Sequence, residues 1–256
     1  MADHVDPSPT SFRPEDRDRF DALSFDCYGT LIDWEQGIGR VLSEWAEARD
    51  LPLGVEDLLT RYATQEARSE SEHPGALYPE ILARSFSALG ESLQVEVGDG
   101  WAQRLGGSVG DWPAFPDSRQ GLERLSTRYR LVILSNVDRA SLARSLVHLG
   151  LEFDGLITAE DAGSYKPNPA NFERLQGFAR SHGIRDGRLL HVAQSLFHDH
   201  VPARRAGLPS VWINRRHDRP GWGATPPPSQ DVEVDRTFPD LSSFADAAVG
   251  LEDQTS

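Results

Sequence analysis

The sequence predicts an α/β protein with a Rossmann-like, doubly wound parallel sheet that is interrupted by an all-helical insertion. In the second half of the chain, short apolar runs alternate with helical patterns, which is typical of parallel strands joined by crossover helices. Between about residues 34 and 110, apolar residues recur at helical spacing and no strand is indicated. Ligands of such sheets bind at the carboxyl ends of the strands, so the residues that follow each strand are the candidate functional residues.

The first strand is predicted within residues 20–25, and the chain then turns at Gly29 and Thr30. Asp33 is placed to cap the first helix of the insertion. Two further helical patterns follow, one around Leu58 and one around Leu82. Strand–helix alternation begins after residue 116. Its predicted strands are residues 131–134, 155–158, 189–193 and 210–213. Three predicted helices contain Leu122, Leu142 and Phe172, a fourth covers about residues 199–207, and the last covers about residues 240–249.

This order divides the chain into three parts. Residues 1–19 are rich in Pro, Asp and Arg and are predicted to be a disordered lead-in. Residues 20–33 and 111–256 are predicted to form the core domain. Residues 34–110 are predicted to form a separate helical domain that is inserted after the first strand.

Composition argues against several classes of function. The formal net charge is −14 and no basic stripe offsets it, so we expect no nucleic-acid partner. No apolar run approaches the roughly 18 residues that span a bilayer, and we expect no membrane association. The single cysteine, Cys27, rules out an intrachain disulfide, which fits a reducing compartment. We therefore expect a cytoplasmic protein.

The segment Phe25–Leu31 places Asp26 directly after the first predicted strand. A carboxylate in such a position often only caps a turn or a helix. Here, however, Gly29 permits close backbone approach and the Thr30 hydroxyl can orient the carboxylate. The amides of Cys27 and Tyr28 can form a small anion-binding nest. The pattern favours a functional Asp26.

Three further motifs bring polar groups to the same edge of the sheet. Ser135 and Asn136 follow a strand, where a serine alone would be interpreted as a turn residue. Lys166 is the only lysine in the chain, which favours a role that needs a compact ammonium group, although some lysine must be the last one. Asp199 lies at a helix start, where capping and catalysis are compatible.

In this order and spacing, the four motifs resemble those of the haloacid dehalogenase superfamily, over about residues 20–249. The segments Asp26–Thr30 (DCYGT) and Trp212–Arg215 (WINR) are similar to those of its L-2-haloacid dehalogenase branch. The resemblance implies that residues 34–110 form a helical cap domain. It also implies a short haloacid substrate, a homodimer, and no cofactor or metal.

Tyr28 distinguishes the dehalogenases from the phosphatases of this superfamily. The phosphatases usually carry a second Asp at this position, because an alkoxide leaving group needs a proton. A tyrosine, with an ordinary pKa of about 10, is a poor proton donor near neutral pH. A halide leaves without a proton, so the sequence favours carbon–halogen cleavage. The alternative is that Tyr28 only packs against the insertion in a divergent or inactive relative.

The resemblance also implies a role for each candidate residue. Asp26 is the nucleophile that attacks C2 of a short 2-haloacid, including haloacetates, and Thr30 orients it. Lys166 keeps Asp26 ionised, and Asp199 positions the hydrolytic water. The resemblance implies that Ser135 and the amides of Cys27 and Tyr28 bind the substrate carboxylate. It implies that Asn136 and a cap arginine bind the halide; Arg61 is the candidate arginine, and Arg68 and Arg84 compete.

The sequence departs from the family pattern near the last motif. Gln194 and Leu196 stand where Ser and Asn are typical, and Phe172 stands where Tyr is usual. His198 precedes Asp199, and a surface position is its simplest interpretation. These departures leave two alternatives open. One is a hydrolase of another bond, either a Mg²⁺-dependent phosphatase or an enzyme acting on activated C–N or C–O bonds; the other is a non-catalytic binding protein.

Overall fold

The computed structural model describes residue 12, residues 14–228, residue 232 and residues 234–250. Its strands are β1 (Ala22–Phe25), β2 (Arg130–Ser135), β3 (Gly155–Thr158), β4 (Leu189–Ala193), β5 (Ser210–Ile213) and β6 (Arg236–Phe238). They pair in parallel in one sheet, in the order β3-β2-β1-β4-β5-β6. The predicted α/β class with a parallel sheet is confirmed.

Helices cover both faces of the sheet and fill the insertion. They are α1 (Pro14–Arg17), α2 (Trp34–Ala48), α3 (Val55–Glu72), α4 (Tyr78–Leu93), α5 (Asp99–Gly107), α6 (Ser118–Ser126), α7 (Arg139–Leu149), α8 (Ala159–Ala162), α9 (Pro169–Ser181), α10 (Val201–Arg205) and α11 (Leu241–Val249). None of the described helices is long and apolar enough to cross a membrane.

The insertion is helical because its apolar residues form one stripe on each helix. Asp33 caps α2 as predicted, since its side chain accepts the Gln36 N–H at 3.0 Å. Trp45 of α2 is fully buried and packs edge to face on Phe86 of α4, with 5.2 Å between ring centroids. The helices α2 to α5 therefore share a core that lies beside the carboxyl edge of the sheet.

The centre of the sheet sets the position of the functional residues. All four residues of β1 are buried, and β1 pairs with β2 on one side and with β4 on the other. Phe25 is in register with Ile133 and Val192, so the chain segments that follow these three strands emerge side by side. Asp26 comes directly after β1, and Ser135 is the last residue of β2. Both therefore lie at the carboxyl edge of the sheet, as the sequence predicted.

Two details of the fold differ from the prediction. Within the expected lead-in, Phe12 is buried with its ring 5.8 Å from that of Phe244, and α1 is helical; residues 1–11 and residue 13 lie outside the described residues. This part of the lead-in is ordered because an aromatic side chain fills a gap against α11. The short helix predicted near residue 199 begins earlier, with one π-helical turn at Leu196–His200.

Candidate active site

The carboxylate of Asp26 lies at the carboxyl end of β1 in a fixed orientation. Its backbone N–H donates to the carbonyl of Val192 at 3.1 Å, so pairing with β4 continues past the strand. The Thr30 hydroxyl donates to Asp26 Oδ2 at 2.7 Å and accepts the Gln194 N–H at 2.9 Å. Gly29 has φ of +92°, a conformation that favours glycine and that folds the loop back so that Thr30 reaches Asp26.

Lys166 joins two carboxylates at the centre of the site. Its ammonium donates to Asp26 Oδ1 at 2.9 Å, to Asp199 Oδ1 at 2.7 Å and to the carbonyl of Leu134 at 3.1 Å. The side chain is only 1% exposed, and these contacts use all three of its protons. The only lysine of the chain thus joins Asp26, which follows β1, and Asp199, which comes after β4, to the Leu134 carbonyl near the end of β2.

For both Asp26 and Asp199, burial raises the pKa of the carboxyl group and the Lys166 ammonium lowers it. Burial raises the pKa of Asp26 above its ordinary 3.8, and the ammonium of Lys166 offsets only part of that increase. Asp199 differs, since burial is outweighed by Lys166 and by the hydrogen bond from His191, and its pKa is lowered. Lys166 lies beside Asp26 as the resemblance implied, yet the Asp26 carboxylate remains more basic than an exposed one.

His191, in β4, completes a buried chain beneath the site that the sequence prediction missed. Its Nε2 lies 3.0 Å from Asp199 Oδ1, and its Nδ1 lies 2.9 Å from the Ser24 hydroxyl. An ionised carboxylate only accepts hydrogen bonds, so His191 donates through Nε2 and accepts from Ser24. Asp199 Oδ2 is left buried without a protein partner among the described residues. One oxygen of Asp199 is therefore anchored and the other is free.

The other groups that were predicted to bind the substrate differ in whether they are already hydrogen-bonded within the protein. Ser135 Oγ is buried and has no hydrogen-bond partner in the described chain. The N–H groups of Cys27 and Tyr28 make no hydrogen bond to a described residue, whereas the Cys27 carbonyl accepts from the amides of Leu31 and Ile32. The Tyr28 hydroxyl lies 2.7 Å from Ser145 Oγ, away from Asp26. Burial raises the pKa of Tyr28 well above 10, so it stays a neutral phenol.

The structure does not bring a predicted cap arginine to the site. Arg61, Arg68 and Arg84 are all exposed, and the latter two pair with Glu72 and Glu80 one turn away on their own helices. Leu58, Leu59 and Tyr62 are the buried residues of that part of α3, so Arg61 projects from its solvent face.

The wall that α3 and α4 contribute is acidic instead. A narrow cavity over Asp26, Lys166 and Asp199 is lined from the insertion by Glu66, Glu70 and Tyr78. Tyr78 donates to Glu66 Oε1 at 2.9 Å, and the Asn136 amide lies 3.2 Å from Glu70 Oε1. Asn136, which we expected at the halide, thus bonds to Glu70.

Of the two histidines beside Asp199, His200 is buried and the His198 side chain is 13% exposed, which differs from the surface position expected for His198. His200 is held by Ser210 Oγ at 2.8 Å and by the Ala193 carbonyl at 3.0 Å. His198 lines the cavity, and its Nε2 has no hydrogen-bond partner in the described part of the chain. Burial lowers the pKa of His198 to about 4, so its ring is neutral near pH 7.

Comparisons with known proteins show a similarity to haloacid dehalogenases. The family model for haloacid dehalogenase-like hydrolases matches residues 20–176. The (S)-2-haloacid dehalogenase 4A of Burkholderia cepacia is 26% identical over 230 residues, covering 88% of this chain and 96% of the relative. Haloacetate dehalogenase H-2 of Moraxella sp. (strain B) is 25% identical over 201 residues, covering 77% of this chain and 87% of the relative.

A solved structure shows the same fold. The L-2-haloacid dehalogenase of Xanthobacter autotrophicus, with chloropropionic acid covalently bound, superposes with a TM-score of 0.71 at 18% identity. The match covers 91% of this chain and all of that chain. At this identity, the likeness describes the fold and not the substrate.

Proposed function

This chain belongs to the haloacid dehalogenase-like hydrolase family, and from that membership we propose that it is a hydrolytic dehalogenase of short 2-haloacids, including haloacetates. Its products are the 2-hydroxy acids. The observation that carries the proposal is the Asp26 carboxylate, which Lys166 and Thr30 hold in a buried site without a neighbouring proton donor at position 28.

In the first step, an Asp26 oxygen attacks C2 of the haloacid and the carbon–halogen bond breaks. The electron pair of that bond leaves with the halide, and an aspartyl ester forms. Burial favours this step because a desolvated, more basic carboxylate is a better nucleophile. The free N–H groups of Cys27 and Tyr28 and the unpaired Ser135 hydroxyl are donors for the substrate carboxylate.

In the second step, water attacks Cγ of Asp26 and the ester C–O bond to Cγ breaks. This restores the Asp26 carboxylate and releases the hydroxy acid and one proton. Asp199 supports the step because Lys166 and His191 hold its Oδ1, while its free Oδ2 can accept a hydrogen bond from the attacking water and orient it. Only the first step touches C2, so the configuration at C2 is inverted.

Tyr28 favours halide over phosphate esters as the leaving group. Its hydroxyl is bonded to Ser145 and its raised pKa makes it a weak acid. An alkoxide leaving group would lack a proton at that position, whereas a halide needs none. We further propose that residues 34–110 act as the cap domain over the site, and that the protein is a cytoplasmic homodimer.

The test is halide release from chloro-, bromo- and fluoroacetate and from both enantiomers of 2-chloropropionate, without added metal. Asp26→Asn is the matched variant, because an amide of the same shape is not a nucleophile. We expect halide release by the wild type and none by the variant. If none of these acids releases halide, the proposal for small haloacids is refuted.

A further inference from the structure

Four carboxyl groups and one ammonium line the catalytic cavity. The carboxyl groups belong to Asp26, Asp199, Glu66 and Glu70, and the ammonium belongs to Lys166. None of the arginines in the described chain lines it. A haloacid brings one more negative charge, so the cavity would repel its substrate if all four carboxyl groups were ionised. The proposed function therefore requires an explanation of how a carboxylate is accepted.

The hydrogen bonds of Glu70 to described residues come from the neutral amide of Asn136 and not from a positive group. The Lys166 N–H donates to Asn136 Oδ1 at 2.6 Å, which fixes the amide so that its NH₂ group faces Glu70. The Lys166 ammonium is already committed to three other acceptors. His198 Nε2 is 3.8 Å from Glu70 Oε2, beyond hydrogen-bond distance, and its ring is neutral.

Glu66, one helical turn before Glu70, has the same kind of surroundings. It is buried, and its hydrogen bond comes from the neutral hydroxyl of Tyr78. Burial raises the pKa of Glu66 to about 8. Burial and the neighbouring Glu66 raise the pKa of Glu70 well above its ordinary 4.5, because they outweigh the opposite effects of the Lys166 ammonium and the Asn136 hydrogen bond. Buried carboxyl groups without a cation favour the neutral form.

We infer that Glu66 and Glu70 face the cavity as protonated carboxyl groups near neutral pH, and that Glu70 donates its O–H to the carboxylate of a short monocarboxylic acid. This inference rests on the proposed function, because it takes a haloacid as the occupant. A protonated carboxyl group donates one hydrogen bond and still accepts the one from Asn136. Hydrogen bonds from O–H to a carboxylate are short and strong, so Glu70 can replace a cationic residue.

The position of Glu70 also allows its proton to exchange with solvent. Glu70 also lines a second, larger pocket together with Ser71, Pro74 and Phe197. The titratable groups around it are Glu66 on α3, Tyr78 on α4, Tyr165 and Lys166 before α9, and His198 before α10. Of these, Glu66 titrates between pH 7 and 9, so ionisation of the glutamate pair is expected to weaken carboxylate binding above about pH 8.

The experiment compares three substrates of the wild-type protein by kcat and KM. Chloroacetate and chloroacetamide are followed from pH 6 to 10, because the amide keeps the carbon–chlorine bond but carries no charge. We expect the KM for chloroacetate to rise roughly tenfold per pH unit above pH 8, as one ionisation requires, while that for chloroacetamide stays flat. 2-Chloroethylamine at pH 7 tests the opposite case, in which ionised glutamates select a cation.

Glu70→Gln is the informative variant, since its amide donates a hydrogen bond at every pH and has nearly the same shape. We expect the KM of this variant for chloroacetate to rise less between pH 6 and pH 10 than that of the wild type, because only Glu66 of the pair can then ionise. Glu72→Gln is the matched control, an exposed carboxylate of the same helix that pairs with Arg68. It is expected to keep the wild-type profile.

The inference is overturned if the KM for chloroacetate is independent of pH, if Glu70→Gln keeps the wild-type pH profile, or if 2-chloroethylamine is the preferred substrate at pH 7. Acetate binding, followed by tryptophan fluorescence with Trp34 in the cavity wall as the reporter, tests the inference separately from the proposed function. Acetate carries the carboxylate but no halogen, so its binding does not depend on dehalogenation. Without any halide release, acetate affinity that falls above pH 8 more steeply in the wild type than in Glu70→Gln still supports the inference. Acetate affinity that is equal at pH 7 and 9.5 refutes it.

Discussion

Replacing Lys166 by methionine tests whether its ammonium holds the site together. The substitution keeps most of the side-chain volume but leaves the carboxylates of Asp26 and Asp199 buried without their cation, at positions where Nζ lay 2.9 and 2.7 Å away. Breaking a buried ion pair by removing one partner costs about 3–5 kcal/mol. We therefore expect the free energy of unfolding to fall by about that amount at pH 8.

The effect depends on pH with a definite sign. Burial alone would lower the pKa of Lys166, but Asp199 and Asp26 outweigh it and raise that pKa above 10.5. The wild-type contribution of Lys166 is thus fully present below pH 10.5 and is lost only as the pH rises through the higher folded value. In the variant, one carboxyl group takes up a proton as the pH falls, so the destabilisation is expected to be smaller at pH 5 than at pH 8.

Urea unfolding followed by tryptophan fluorescence at pH 5 and pH 8 measures both quantities. Arg188→Met is the control, because it removes the same charge from a surface pair with Asp21. We expect the control to change stability far less, since pairs near the surface contribute little. The reasoning is refuted if Lys166→Met destabilises no more than Arg188→Met, or if its effect is the same at both pH values.

Three further predictions concern single side chains. Thr30→Val removes the hydroxyl that donates to Asp26, and we expect kcat for chloroacetate to fall by about tenfold to a hundredfold, as for a lost hydrogen bond to a charged group; an unchanged kcat would contradict this. His191→Leu removes the donor to Asp199 Oδ1, and we expect a similar loss in hydrolysis of the ester, seen as accumulation of covalently modified protein by mass spectrometry; equal loss without accumulation would place His191 in the first step. Arg61→Ala is expected to leave kcat and KM unchanged because its side chain is exposed, and a large rise in KM would return Arg61 to the site.

Much of the sheet follows from the sequence because buried parallel strands are short apolar runs with turn residues on either side. The structure has strands at residues 155–158, 189–193 and 210–213, the bounds that were predicted. β6 was not predicted, because a three-residue segment with one apolar side chain, Phe238, gives too little signal. Its place in the sheet depends on pairing with β5, which is a tertiary contact.

The polar centre of the site was predictable for the same reason, since the carboxyl ends of β1, β2 and β4 meet at one edge. The acidic wall was not predicted, because glutamates on a helix ordinarily indicate a solvated face. A signal was nonetheless present: Leu58, Tyr62, Glu66 and Glu70 recur every four residues, so both glutamates share the buried stripe of α3. The same spacing excludes Arg61 from that stripe.

His191 also had a detectable signal, as a histidine within an otherwise apolar strand. Its role could not be inferred from the sequence alone, because it depends on Ser24 in the neighbouring strand and on Asp199 in the π-helical turn. Phe172, where the family pattern has a tyrosine, packs edge to face on His191 with 5.5 Å between ring centroids.

The central claim is that Asp26 forms an ester with the carbon that carries the halogen, and a single turnover in H₂¹⁸O tests it most directly. Excess protein is mixed with bromoacetate, and both the glycolate and the peptide that contains Asp26 are analysed by mass spectrometry. The account predicts that the new hydroxyl oxygen of glycolate is ¹⁶O, derived from Asp26, and that one ¹⁸O appears in the Asp26 carboxylate. Glycolate labelled with ¹⁸O beside an unlabelled Asp26 would show that water attacks the substrate directly, and would contradict the account.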